Sequence, residues 1–254
     1  MLGVYFSGTG NTKYCLEKFM SCYNASEPVS IENPDVLEAI KESDDLVFGY
    51  PIYYSNLPKM VKDFIDKNRA CFQNKNIFII STMGLFSGDG AGCGARLFKK
   101  YGANVTGGLH LKMPDCIGDV KLLKKPLEQN KELVKRAEYK ITNAVHALKE
   151  GKAPRNGLNP FCHAAGLFGQ RLWFYRKTRN YSNELKVNAD LCIGCGRCAA
   201  LCPMGNVSIF NQKAVPGSRC TMCYRCISHC PQKAITLLGE EVMEQCLIEN
   251  YIEE

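Results

Sequence analysis

Long apolar runs are missing from this 254-residue chain, and no leader is expected. No stretch of about 18 apolar residues occurs, so no membrane-spanning helix is expected. The first strand-like run, Leu2 to Phe6, begins almost at Met1, which leaves no space for a cleaved signal peptide. The expected location is therefore the cytosol. Tryptophan occurs once, as Trp173, so the first 150 residues have none. Cysteine, in contrast, is abundant at 15 residues. Reductants keep cytosolic thiols apart, so this many cysteines point to bound metal rather than disulfides, provided the spacing agrees.

Hydrophobic residues make up 46% of the chain and charged ones 22%, as in a globular protein with one large and one small domain. The net charge of +7 is unevenly spread. Residues 1–150 carry +3, residues 151–187 carry +6, and residues 188–254 carry −2. A basic middle segment can attract nucleic acid or a membrane surface, or it can offset acidic groups of the same protein.

The first 150 residues alternate strand and helix. Strands are predicted over 2–6, 29–31, 44–50, 76–82 and 103–112. Helices are predicted over 10–22, 57–67, 91–101 and 127–149, with one more starting at Asn33-Pro34. The last helix should bury Leu127, Val134, Ala137, Ile141, Val145 and Leu148. This alternation predicts an α/β domain with a doubly wound, five-stranded parallel sheet. Ligands of such sheets bind beyond the carboxyl ends of the strands. Three unusual segments fall there: "SGTGNT" (7–12), "YPIYYSN" (50–56) and "STMGLFSGDGAG" (81–92).

The first of these suits a phosphate, since it offers backbone amides at a helix N-terminus and the hydroxyls of Ser7, Thr9 and Thr12. A Walker loop is excluded because Gly8 is followed by Thr9 where lysine is required. A dinucleotide fingerprint is excluded because Lys13 stands at the third glycine position, although Glu32 falls near where a ribose-binding acid would be. A phosphomonoester remains. The other two segments suit a flat ring: Tyr50, Tyr53, Tyr54 and Phe86 offer aromatic faces, and Gly84, Gly88 and Gly90 allow close backbone approach.

On these residues the first 150 positions resemble the flavodoxin family. Ser7-Gly8-Thr9-Gly10-Asn11-Thr12 matches its S/T-x-T-G-x-T phosphate loop, and "YPIYYSNLPKMVKDFID" is similar to the ring loop and helix of flavodoxin-like quinone reductases. The resemblance implies FMN. Its implied contacts are Ser7, Gly8, Thr9, Gly10, Asn11 and Thr12, then Pro51, Ile52, Tyr53, Tyr54 and Asn56. Thr82, Met83, Gly84, Phe86, Gly88 and Gly90 complete the set. The family's usual ring-side tryptophan is missing, and so is its strongly acidic character.

Residues 192–203 read "CIGCGRCAALCP" and residues 220–231 read "CTMCYRCISHCP". Each is C-x2-C-x2-C-x3-C-P. Tetrahedral zinc usually takes two C-x2-C pairs over a longer gap, whereas this run wraps an iron–sulfur cube and lends its fourth cysteine to the other cube. Cys192, Cys195, Cys198 and Cys230 are therefore assigned to one [4Fe-4S] cluster, and Cys220, Cys223, Cys226 and Cys202 to a second. Gly194 and Gly196 should leave amides free to approach the sulfurs. The tail resembles the bacterial two-cluster ferredoxins, which implies a small α+β domain with strands near 204–210 and 232–238. The other cysteines, Cys15, Cys22, Cys71, Cys93, Cys116, Cys162 and Cys246, read as reduced and mostly packed thiols, and His229 as a packing residue.

The expected organisation is an FMN-binding domain over 1–150, a basic aromatic segment over 151–187, and a two-cluster ferredoxin-like domain over 188–254. The middle segment, with "GLFGQRLWFYRKTRNYS" in it, is expected to dock on its neighbours rather than bind nucleic acid. Two cubes with their thiolates would add about −4 and the FMN phosphate about −2, close to neutralising the chain. The chain as a whole is similar to flavodoxin–ferredoxin fusions. The expected function is electron transfer between FMN, two [4Fe-4S] clusters and redox partner proteins. The alternatives are a flavin-dependent reductase of a quinone or nitro compound, and an iron–sulfur redox sensor.

Overall fold

A computed structural model describes residues 1–86, 88–172 and 183–252. Five parallel strands lie in the order β2-β1-β3-β4-β5: β1 Leu2–Tyr5, β2 Val29–Ser30, β3 Asp45–Pro51, β4 Asn76–Met83 and β5 Asn104–Lys112. Strand residues alternate between two faces, and both faces are apolar because helices cover both. Val47, Phe78, Ile80 and Leu109 pack under α1 Asn11–Tyr23 and α5 Leu127–Lys149. Phe48, Ile77 and Ile79 face α2 Val36–Glu42, α3 Lys59–Lys67 and α4 Gly90–Lys100. On that second face Phe48 and Phe72 each meet the Phe98 ring at 5.1 Å, edge to face. The result is the flavodoxin-like fold.

Three expectations are corrected locally. The Asn33-Pro34 pair does not start α2: the Asn33 side chain instead accepts from the Asp35 amide at 2.8 Å, and the helix begins at Val36. An Asx turn has won over the N-cap. Leu127 is 49% exposed, because the first turn of α5 runs beyond the sheet. Tyr50 is fully buried rather than lining a ring site, with its hydroxyl donating to the Gly90 carbonyl at 2.8 Å.

After α5 the chain runs along the free edge of β5. Gly108 donates to the Pro154 carbonyl and Asn156 donates back to Gly108, both at 2.8 Å. This pairing covers a sheet edge that would otherwise be exposed. Helix α6, Pro160–Gly166, follows and is capped by Asn159, whose side chain accepts from the Cys162 amide. It lies against α4, where fully buried Asp89 binds Arg96 at 2.7 Å, His163 at 2.9 Å and Arg171 at 2.9 Å. The aromatic and basic residues 173–182, Trp173 included, lie outside the described residues.

The C-terminal region is a small α+β unit. A hairpin, β7 Val207–Phe210 with β8 Lys213–Pro216, stands beside the pair β6 Lys186–Val187 and β9 Ile235–Thr236. Short helices Arg197–Leu201 and Arg225–Ser228 follow the second cysteine of each run. This unit is locked to the first. Asp119, 2% exposed and beyond β5, accepts from Leu237 N at 2.7 Å, Leu238 N at 3.0 Å, Gly239 N at 3.1 Å and the Tyr224 hydroxyl at 3.0 Å. Arg225 forks onto Glu32 at 2.8 and 2.6 Å and also reaches the Ser7 carbonyl. The chain then returns: Ile248 donates to the Thr9 carbonyl at 3.0 Å, and Tyr251 is buried with α1 and α5.

Asp119→Ala would leave four donors without their acceptor, two of them, the Leu237 amide and the Tyr224 hydroxyl, buried. It should cost about 3 kcal/mol, lowering Tm by about 6–12 °C, and Asp119→Asn should cost less. Thermal unfolding of the two variants checks this.

Candidate functional site

Helix α1 starts at Asn11 with no side-chain cap and no acid in its first turn. Gly10 precedes it at φ 93°, a left-handed conformation that glycine adopts without strain. The opening amides of a helix have no partner within it, and they carry the positive end of its dipole. Around them sit the nearly buried hydroxyls of Ser7, Thr9 and Thr12, with Thr12 2.8 Å from the Thr82 hydroxyl. The buried Asn11 carbonyl oxygen has no partner among the described residues, while its amide donates to Pro114 O at 2.8 Å. Uncapped amides and buried hydroxyls fit a phosphate.

This loop forms one end of a cavity of about 280 Å³. Of the residues expected around a flavin, Ser7, Gly8, Thr9, Asn11, Thr12, Pro51, Ile52, Tyr53, Tyr54, Thr82, Met83, Gly84 and Phe86 line it. Tyr54 and Ser55 stand at φ 49° and 56° in a tight turn closed by Tyr53 N to Asn56 O and Asn56 N to Tyr53 O. Two non-glycine residues in this region are a local strain, held by the surrounding packing. Four expected residues are elsewhere. Gly10 faces Ile248, and Asn56 points to a neighbouring groove. Gly88 packs on Gly166, and Gly90 serves the Tyr50 hydroxyl.

The cavity also has a wall that the sequence reading missed. Pro114, Asp115, Cys116 and Ile117 come from the end of β5, and Met222, Cys223 and Tyr224 come from the cysteine-rich unit. Position beyond a fifth strand could have flagged the former; nothing local in sequence could have flagged the latter. Burial raises the Asp115 carboxyl above its ordinary range, partly offset by the Ile117 amide that it accepts. Burial likewise pushes up the Tyr53 phenol and the Cys116 thiol. The cavity is therefore a mostly apolar, aromatic slot with uncapped amides and hydroxyls at one end. Those features fit FMN.

The eight cysteines fall into two groups. Cys192, Cys195, Cys198 and Cys230 surround one small cavity, and Cys202, Cys220, Cys223 and Cys226 surround another. Backbone amides point at sulfurs in a repeated pattern. Asn206 N donates to Cys202 at 3.2 Å and Ala234 N to Cys230 at 3.3 Å, each four residues on. Ala214 N donates to Cys192 at 3.4 Å and Met222 N to Cys220 at 3.5 Å. Such bonds favour thiolate and tune a cluster's potential. The Ala214 and Gly194 amides draw the Cys192 thiol below its usual range, against a smaller burial effect. Burial pushes Cys223 up to about 11. Among the described residues no three His, Cys, Asp or Glu side chains converge on a single-ion site. The wider cysteine groups suit an inorganic cube.

The two sites touch. Cys223 belongs to the second cysteine group and to the flavin-sized cavity. A methyl group on Gly8 would collide with the Cys223 carbonyl oxygen. The remaining cysteines are free thiols, and Cys93 lies outside the cavity, 2.8 Å from Arg171.

The family model of the flavodoxin domain matches residues 2–106, and that of the 4Fe-4S dicluster domain matches residues 184–231. No curated protein matches. Among solved structures, a flavodoxin from the domain Archaea is 17% identical, covering 58% of this chain and 97% of its own, at a TM-score of 0.42. The two-electron reduced flavodoxin of Megasphaera elsdenii is 20% identical, covering 57% and 100%, at 0.41. Oxidised flavodoxin 2 of Bacillus cereus is 17% identical, covering 59% and 97%, at 0.43. Domains of these two kinds support an electron-transfer role, the first implying FMN and the second an iron–sulfur cluster.

Gly8→Ala should weaken flavin retention about tenfold, because the Cys223 backbone has no room to yield. Equilibrium dialysis measures it. Loading iron and sulfide into the apoprotein must release protons from thiols such as Cys223, whose folded value lies above 9. Loading should therefore become more favourable from pH 7 to 9, read from the visible absorbance of the cluster.

Proposed function

We propose that this flavodoxin–ferredoxin fusion is an electron carrier with one FMN and two [4Fe-4S] clusters, exchanging electrons with redox partner proteins. The observation that carries the proposal is Cys223, a proposed cluster ligand that also lines the proposed flavin cavity. FMN accepts two electrons and releases them singly, and each cube passes one. The chain's own residues bind and orient these groups. Ser7, Thr9, Asn11, Thr12 and the first amides of α1 would hold the phosphate; Tyr53, Tyr54, Met83 and Phe86 would flank the ring. Cys192, Cys195, Cys198 and Cys230 would hold one cube, and Cys202, Cys220, Cys223 and Cys226 the other. The domains would divide at 1–150, 151–187 and 188–254.

The carrier reading is favoured over a small-molecule reductase because Met222, Cys223 and Tyr224 occupy one wall of the cavity. An acceptor entering there would compete with the cluster loop. No helix among the described residues is long and apolar enough to cross a membrane.

Protein prepared anaerobically should contain about one flavin and about eight irons per chain, with electron paramagnetic resonance signals of cubes on reduction. Iron without flavin would overturn the first half of the proposal. Cys223→Ser should lose up to about four irons while Cys192-side iron is kept. A variant retaining all its iron would remove Cys223 from the ligand set.

A further inference from the structure

We propose that the face around Cys195 is the electron port of this protein, a docking surface for an acidic one-electron redox protein. The proposal rests on the two-cluster reading and adds the direction in which the clusters are arranged. The two cysteine groups differ in exposure. Cys223 is buried and lines the flavin-sized cavity, whereas Cys195, in the group whose Cys198 is buried, is exposed. The Cys192 group is thus the outer site and the Cys202 group the inner one. An electron entering at a cube held by the Cys192 group would be handed on by way of the Cys202 group, whose Cys223 lines the flavin-sized cavity.

The outer face has the composition of an interface. Ile193 is 61% exposed and Leu191 47%, both in the loop that carries Cys192 and Cys195. Ile193 and half-exposed Ile209 also line the outer cysteine cavity, so the apolar surface reaches the sulfur cage itself. Phe210, 67% exposed, stands at the end of the same hairpin, and the hairpin turn abuts Gly194 at Gln212. Exposed apolar side chains gathered over one redox site, with no cover from the other described residues, mark a contact surface.

Charge decides the kind of partner. The tail from 188 to 254 has a net charge of −2, yet the exposed ions near the outer group are mostly basic. Arg197 lies between Cys195 and Cys198, Lys233 follows Cys230 by three residues, and Lys213 precedes Ala214, while the loop before Cys192 carries the acid Asp190. Lys213 is anchored on the carbonyls of Ala189 and Cys192 at 2.7 Å each, which fixes its charge beside the cage. A basic rim around an apolar centre complements a partner with an acidic rim around its own redox centre. In the transfer, the partner's centre is oxidised by one electron and the outer cube is reduced by one, with no bond formed or broken.

A second groove, of about 490 Å³, is the rival location. It is lined by Tyr53, Lys59, Lys62, Arg219 and Cys220, beside the inner cysteine group. Lys59 and Lys62 there are already paired with Asp63 and Asp66. That pairing removes the charge an acidic partner would seek.

The test uses the holoprotein, with a small acidic bacterial ferredoxin as the probe. Binding of the oxidised probe is measured by calorimetry, and reduction of the clusters by the reduced probe is followed in a stopped-flow instrument. Dithionite serves as the small reductant that needs no docking. Phe210→Asp, and separately Lys233→Glu, should weaken probe binding and slow reduction by the probe about tenfold. Iron content and the rate with dithionite should stay unchanged. Rising salt should slow the unaltered protein. Failure of the unaltered protein to bind the probe would overturn the acidic-partner assignment. Equal rates in the variants, or slowing by Lys59→Glu and Lys62→Glu instead, would overturn the location. Absence of iron from the unaltered protein would overturn the two-cluster reading itself, a separate outcome.

Discussion

The Cys223 backbone rests against Gly8, with no space between them for even a methyl group. One strand-end loop thereby offers uncapped helix amides on one side and a seat for a cysteine loop on the other. The two halves of the chain cannot separate without dismantling the cavity that holds Met222, Cys223 and Tyr224 in its wall. Asp119, Arg225 and the returning tail at Ile248 each fasten this contact from a different direction. The fusion is accordingly a docked assembly, in which Cys223 stands at a flavin-sized slot.

Electrostatics supports that assembly. Arg225 places its guanidinium on Glu32, on the Ser7 carbonyl and 5.6 Å from the Phe6 ring centre, next to the phosphate loop. A half-buried, forked pair is stronger than an exposed one, because both partners are shielded from water and pre-oriented. Asp89 plays a comparable part for the middle segment, gathering Arg96, His163 and Arg171 against α4. Of the basic residues described in that segment, Arg171 and Lys152 are paired within the chain.

Much of this was legible in the sequence, for identifiable reasons. Strand and helix periods write themselves into residues such as Val47 and Phe48, whose neighbours face opposite layers. Covalent spacing dictates which cysteines can share a cube, so the crossed grouping of Cys230 with Cys192 was readable without coordinates. Long-range docking was not. Glu32 read as a possible ribose acid because nothing local announces Arg225, 193 residues away. Asp119 gave no signal because its four donors come from another domain. Gly88 read as a ring-approach glycine, although its role is contact with Gly166. Each miss concerns a partner distant in sequence, where local pattern carries no information.

The central claim is that the inner cysteine cluster and the flavin exchange electrons within one molecule. Transient reduction of the clusters, followed by the bleaching of flavin absorbance over a range of protein concentrations, tests it most directly. The account predicts a first-order bleaching rate that is independent of concentration. A rate that rises in proportion to concentration, or clusters that stay reduced beside an oxidised flavin, would contradict it.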